Sequence, residues 1–143
     1  MIEQGLVLLI QAGLGNPPIA PGGWALQLPK DEIKIGDGAG NTIPMAWTWR
    51  AITSCPDYVL EGQTGYTELE IQIDCHGFTM AYAMQLARAI DGVLRGGWSG
   101  VLPDSDHTLV YGIQRKPAYV DGFNDANRSF VRSLEYEIQY SAP

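Results

Sequence analysis

Apolar and polar residues along the 143-residue chain fall into stretches of two periods. The cleanest is Leu69-Glu-Ile-Gln-Ile-Asp-Cys75, where Leu69, Ile71, Ile73 and Cys75 alternate with Glu70, Gln72 and Asp74. Successive strand side chains point to opposite faces, so this pattern predicts one buried and one solvated face, as in an antiparallel sheet. Met45 to Thr53 has the same period, with Met45, Trp47, Trp49 and Ala51 on one face and Thr48 and Arg50 on the other. Phe130 to Tyr140 sets Leu134, Tyr136, Ile138 and Tyr140 inward and Ser133, Glu135, Glu137 and Gln139 outward. Thr108 to Arg115 places Leu109, Tyr111 and Ile113 on one side.

The second period is helical. Met80, Ala83, Met84, Ala87, Ile90 and Leu94 form a stripe preceded by Thr79, a capping residue, and followed by Gly96-Gly97, a stop. Fifteen residues at ~1.5 Å each make a helix of about 22 Å. Ile2, Leu6, Leu9 and Ile10 predict a shorter helix ending at Gly13.

Between these elements, residues 15–44 carry five prolines and six glycines, which forbids a continuous helix or central strand. The segment reads as a long loop or arm, with Trp24, Leu26 and Leu28 alternating as a short edge strand. Ser54 to Thr67, with Pro56, Asp57, Gly62 and Gly65, reads as the connection between the first two strong strands. The expectation is one α+β domain over residues 1–143: a single, mostly antiparallel sheet of about four strands packed by two helices.

Composition narrows the function. The formal charge is −7 and the sequence pI near 4.6, with nine basic residues scattered, which argues against specific nucleic-acid binding. The longest apolar run, Leu6 to Ile10, is far short of the ~20 residues of a membrane span. Met1-Ile2-Glu3-Gln4 lacks the positive charge of a signal peptide, so a cytoplasmic origin is expected. Cys55 and Cys75 are too few for a zinc motif or a disulfide framework, and read as reduced thiols.

Candidate chemistry is sparse. Gly36-Asp-Gly-Ala-Gly40 lacks the Gly-Lys-Ser/Thr ending of a phosphate loop and reads as a turn. Asp104-Ser-Asp106-His107 holds oxygen and nitrogen ligands within four residues, which could hold a metal, but reads as a solvated turn whose Asp side chains bond nearby backbone amides. Cys75 and His76 are adjacent on a strand and point apart, so they cannot share a proton; His76 reads as exposed at the strand end. Glu70 and Asp74 lie on the solvent face, where nothing desolvates either as a catalytic acid. Met80, Met84 and Tyr82 read as core rather than as a ligand pocket. The expectation is no enzyme, no cofactor and no metal, and an interaction protein instead.

The order of elements is the specific feature. An aromatic strand Trp47-Thr-Trp-Arg-Ala-Ile-Thr53 precedes Pro56-Asp-Tyr-Val-Leu-Glu-Gly62 with Thr64-Gly65, then Glu68-Leu-Glu-Ile-Gln-Ile-Asp-Cys75, then a helix from Tyr82 to Leu94 carrying Leu86-Ala-Arg-Ala-Ile90. Tyr111-Gly-Ile-Gln-Arg115 and Leu134-Glu-Tyr-Glu-Ile138 close the series. This pattern resembles the tail-completion proteins of long-tailed bacteriophages and prophages, the tail terminators and head-tail joining proteins. The resemblance is strongest from Trp47 to Leu94, and the 15–44 arm is longer than the family leads one to expect.

The resemblance implies a virion protein, made in the bacterial host cytoplasm, that forms a ring, typically hexameric, on the head-proximal end of the tail tube. Its partners would be its own copies, the tail tube protein and the head connector, with DNA passing through and no membrane involved. Glu70, Asp74, Glu135 and Glu137 are the expected lumen charges, repelling phosphates. Trp24 and Asp37 in the arm, and Asp57, Tyr58 and Tyr66 in the Asp57 to Tyr66 loop, are the expected contacts. Two rivals remain open: a small metal-dependent enzyme using Asp104, Asp106 and His107, and a monomeric ligand-binding module with a pocket near Met80 and Met84.

Overall fold

The structure, a computed structural model, describes residues 5–6, 8–10, 12, 24–27, 35–36, 45–59, 62–94, 99–103, 107–125 and 128–141. Helical residues 5–6, 8–10 and 12 (α1) bury Leu6 and Ile10. There follow β1 (Trp24–Gln27), β2 (Met45–Val59), β3 (Gly62–Gly77), α2 (Met80–Leu94), β4 (Gly100–Val101), β5 (Leu109–Asn124) and β6 (Ser129–Ser141). All six strands form one sheet in the order β1-β2-β3-β6-β5-β4, so the expected count of about four is too low. The α+β class holds, and every strand pair is antiparallel except β1 with β2, which is parallel.

Of the two strands beyond the expected four, β4 has too few residues for a period to be visible. Trp24–Gln27 does lie at the sheet edge, as its alternation predicts. The expected connection from Ser54 to Thr67 is instead mostly strand: β2 runs to Val59, β3 begins at Gly62, and Val59 pairs with Gly62 in a tight hairpin. One register shift, between Pro56 and Tyr58, adjoins the prolyl residue, which cannot donate to a ladder; another falls between Ala51 and Thr53.

One face of β3 and β6 makes the core. Leu69, Ile71, Ile73 and Cys75 stand opposite Ile138, Tyr136, Leu134 and Arg132, and α2 covers them with Ala83, Leu86, Ala87, Ile90 and Leu94. Each fully buried Leu or Ile contributes about 1.5–3 kcal/mol. Met80 and Met84, expected in this stripe, are only half-buried; Leu86 and Asp91 occupy the inner face in their stead. Thr79 caps α2 as predicted: its Oγ1 accepts from the Tyr82 backbone N–H at 3.3 Å.

The β3–α2 turn depends on Gly77. A Cβ built there would stand 2.4 Å from the Ala83 backbone nitrogen and 2.6 Å from the Thr79 carbonyl oxygen, so only a residue without one fits.

β5 departs most from its expected pattern. Val110 pairs with Tyr140 and Gly112 with Gln139, leaving Tyr111 as an extra residue. One inserted residue inverts the face of everything on one side of it. Val110 and Ile113 are therefore both buried, while Leu109 and Tyr111, expected beside Ile113, are exposed. The strand also runs past Arg115 to Asn124, through a second irregularity between Arg115 and Tyr119 that contains Pro117. Arg128, at a left-handed φ of 54°, helps turn the chain into β6.

Candidate functional site

The sheet face away from α2 gathers the charged residues of the alternating strands. Arg50 of β2, Glu68, Glu70, Gln72 and Asp74 of β3, and Ser133, Glu135 and Glu137 of β6 all share it by register. The four residues expected to form one acidic surface, Glu70, Asp74, Glu135 and Glu137, thus lie on one face. Glu70 and Glu137 are direct cross-strand partners, a like-charge pairing that destabilises a sheet unless it is compensated.

Lys116 supplies the compensation. Its Nζ lies 3.1 Å from Glu70 Oε2 and 3.7 Å from Glu135 Oε2. The hydrogen bond to Glu70, aided by the charges of Glu135 and Glu137, raises the ammonium above its ordinary pKa. Five carboxylates against Arg50 and Lys116 still leave this face net negative.

Asp74 is held differently. Its Oδ1 accepts from Gln72 Nε2 at 2.8 Å and from the Ser133 hydroxyl at 2.6 Å, while Arg50 donates to Gln72 Oε1 at 3.0 Å. A chain of donors from β2 to β6 therefore fixes the middle of the acidic strip.

At the end of this face lies His76, expected to be exposed but 1% exposed in the fold. Ala46 and Val131 flank it in register; Thr48 Oγ1 lies 3.2 Å from Nε2 and Ser129 Oγ 3.1 Å from Nδ1. Strand alternation places a residue on the polar face but does not reveal that hydroxyls from two other strands engage both of its ring nitrogens.

On the α2 side, Asp91 is buried, taking the Tyr136 hydroxyl on Oδ1 at 2.9 Å and Arg115 Nη1 on Oδ2 at 3.2 Å. Burial, then the Asp91 charge, push the Tyr136 hydroxyl well above its ordinary pKa, keeping it a donor. Burial, reinforced by Asp74, likewise pushes the Cys75 thiol up, which leaves it inert.

The expected contact residues do not form one cluster. Asp57 and Tyr58 lie on the far part of β2 and Tyr66 on β3, so they belong to one hairpin rather than a loop; their side chains lie outside the described residues. Trp24 pairs with Met45 at the opposite end of β2, ~40 Å away along an extended strand, and its side chain too lies outside the described residues. Asp37, Asp104 and Asp106 lie outside them altogether. Among the described residues no group of three His, Cys, Asp or Glu could hold a metal ion. His107 is exposed, with a left-handed φ of 51°.

Sequence reading missed Lys116 and the apolar side chains of outer β5, Tyr119, Val120 and Phe123, all exposed. The alternation of Tyr119, Asp121 and Phe123 was the available signal, obscured because Lys116-Pro117 interrupts the strand.

The fold and its faces define an α+β protein: one mostly antiparallel sheet, backed by a helix on one side and acidic on the other. No described helix is long and apolar enough to cross a membrane. Residues 49–142 match the family described as bacteriophage tail terminator protein, and the chain belongs to that family. The match takes in most of β2 and every element from β3 through β6, whereas segment 15–44 lies outside it. A comparison with curated proteins finds no match.

Proposed function

We propose that this chain forms a homo-oligomeric ring, a hexamer, at the head-proximal end of the phage tail tube, where it stops tube growth and joins tail to head. Family membership carries the reading. The form of the sheet supports it. β1 pairs only along the first residues of β2, and β4 only with Val110 and Leu109, so both long outer strands keep free backbone edges among the described residues. β2 and β5 run in opposite senses, because β2, β3, β6 and β5 alternate. Copies related by rotation about an axis along the strands can therefore meet β5 to β2 in antiparallel fashion.

In this ring the acidic face lines the lumen, where Glu70, Asp74, Glu135 and Glu137 repel the phosphates of passing DNA. The partners are further copies of the chain, the tail tube protein and the head connector.

The test is electron microscopy of the cognate tube protein polymerising with and without this chain. Shorter tubes with added density at one end are expected; tubes of unchanged length with bare ends overturn the proposal. Charge reversal at Glu70, Glu135 and Glu137 is expected to leave capping intact and slow DNA ejection. Unchanged ejection removes the lumen assignment alone.

A further inference from the structure

Three of the nine basic residues, Arg88, Arg115 and Arg132, line one cleft between α2 and outer β5. Two carboxylates are already committed there. Arg115 Nη1 pairs with Asp91 Oδ2 at 3.2 Å. Arg132 grips Asp121 in bidentate fashion, Nε to Oδ1 at 2.8 Å and Nη2 to Oδ2 at 2.9 Å, while its guanidinium lies 4.2 Å from the Tyr119 ring centroid. Arg88 is exposed and has no ion pair among the described residues.

The cleft thus sets three guanidinium groups against two carboxylates, one positive charge in excess on a chain of net charge −7. Arg115 spends one of its five N–H donors on Asp91, and Arg132 keeps Nη1. Planar guanidinium groups with spare donors match a carboxylate. Asp91 lines the space and Asp121 is held on Arg132, so a phosphate dianion meets like charge, whereas one monoanion balances the charges. Beside the cleft, Phe123 and Phe130 pack edge to face with centroids 5.2 Å apart and remain exposed. Arginine next to exposed aromatic rings is the composition of interface anchors.

We infer that this cleft is a docking socket for a glutamate or aspartate side chain, with an apolar neighbour seated on Phe123 and Phe130, carried on an exposed acidic segment of a partner protein. The inference does not depend on the ring.

The test titrates the ¹⁵N-labelled full chain with millimolar acetyl-Glu-Phe-Glu-Phe-amide at low salt and follows the arginine Nε–Hε signals. Parallel arms use the glutamine counterpart of that peptide and inorganic phosphate. The three arginine signals are expected to move and saturate with the glutamate peptide, and R88E is expected to weaken binding about tenfold with the backbone spectrum unchanged. Equal response to both peptides, no response, or a stronger response to phosphate overturns the inference. So does light scattering in which R88E abolishes self-association while the peptide moves nothing, since the occupant is then a second copy.

Discussion

β3 and β5 are each sixteen residues long, yet they obey the sequence very differently. β3 pairs with β6 without a single register shift, its two irregularities lying on the β2 side, and Leu69, Ile71, Ile73 and Cys75 fill the core beneath α2. β5 has two shifts and leaves Leu109, Tyr111, Tyr119, Val120 and Phe123 exposed. The difference is position. A segment whose side chains fill the core cannot slip without turning that core inside out, whereas an outer strand with exposed side chains can insert a residue at the cost of a local bend. Central strands store stability, and outer strands are free to carry surface.

The contrast is broken most directly by truncating matched apolar residues. Ile73→Ala on β3 is expected to cost about 4 kcal/mol, since it opens a cavity beneath α2. Val120→Ala on β5, 69% exposed in the folded chain, is expected to cost less than about 0.5 kcal/mol. Denaturant unfolding followed by tryptophan fluorescence measures both; equal costs refute the contrast. Next in size is Gly77→Ala, where the added methyl meets backbone atoms of α2 and about 3 kcal/mol is expected. A thermal melt indistinguishable from the parent excludes that close approach.

Tyr136→Phe extends the comparison to the polar atoms of the core. It removes the hydroxyl that Asp91 accepts, for an expected loss of about 2 kcal/mol in the same unfolding measurement. The smallest effect belongs to outer β5. The hydrogen bond from Arg132 holds the Asp121 carboxyl below its ordinary value of 3.8. A depressed folded pKa adds stability above the ordinary value and loses it as the pH falls through the folded one. Because the Asp121 side chain is 35% exposed, a few tenths of a kcal/mol are expected to disappear on acidification below pH 4, and Asp121→Asn should abolish that increment.

The same contrast explains what could be read from the chain. β3, α2 and β6 were legible because burial on one face forces a strict period: Leu69 to Cys75 and Leu134 to Ile138 are inward as their alternation predicts, and α2 spans fifteen residues. β5 misled because Leu109, Tyr111 and Ile113 alternate perfectly in sequence while Tyr111 is an inserted residue, and no local pattern distinguishes a bulge from a regular strand. The acidic face was legible residue by residue, but Lys116 was not, because its place over Glu70 and Glu135 depends on pairing across three strands. His76 failed for the same reason: the hydroxyls that engage its ring belong to Thr48 and Ser129, which are 28 and 53 residues distant.

The extra residue at Tyr111 has the effect of a half-step phase shift in a two-beat rhythm. Upstream of it the even-numbered Val110 sounds on the core side; downstream the odd-numbered Ile113 does. Removing that one residue would put the downstream residues out of step while β6, its template, kept time. Reading frame within a strand is thus a degree of freedom separate from composition: with the same residues in the same order, the count at a single position decides which side of the sheet a dozen side chains inhabit.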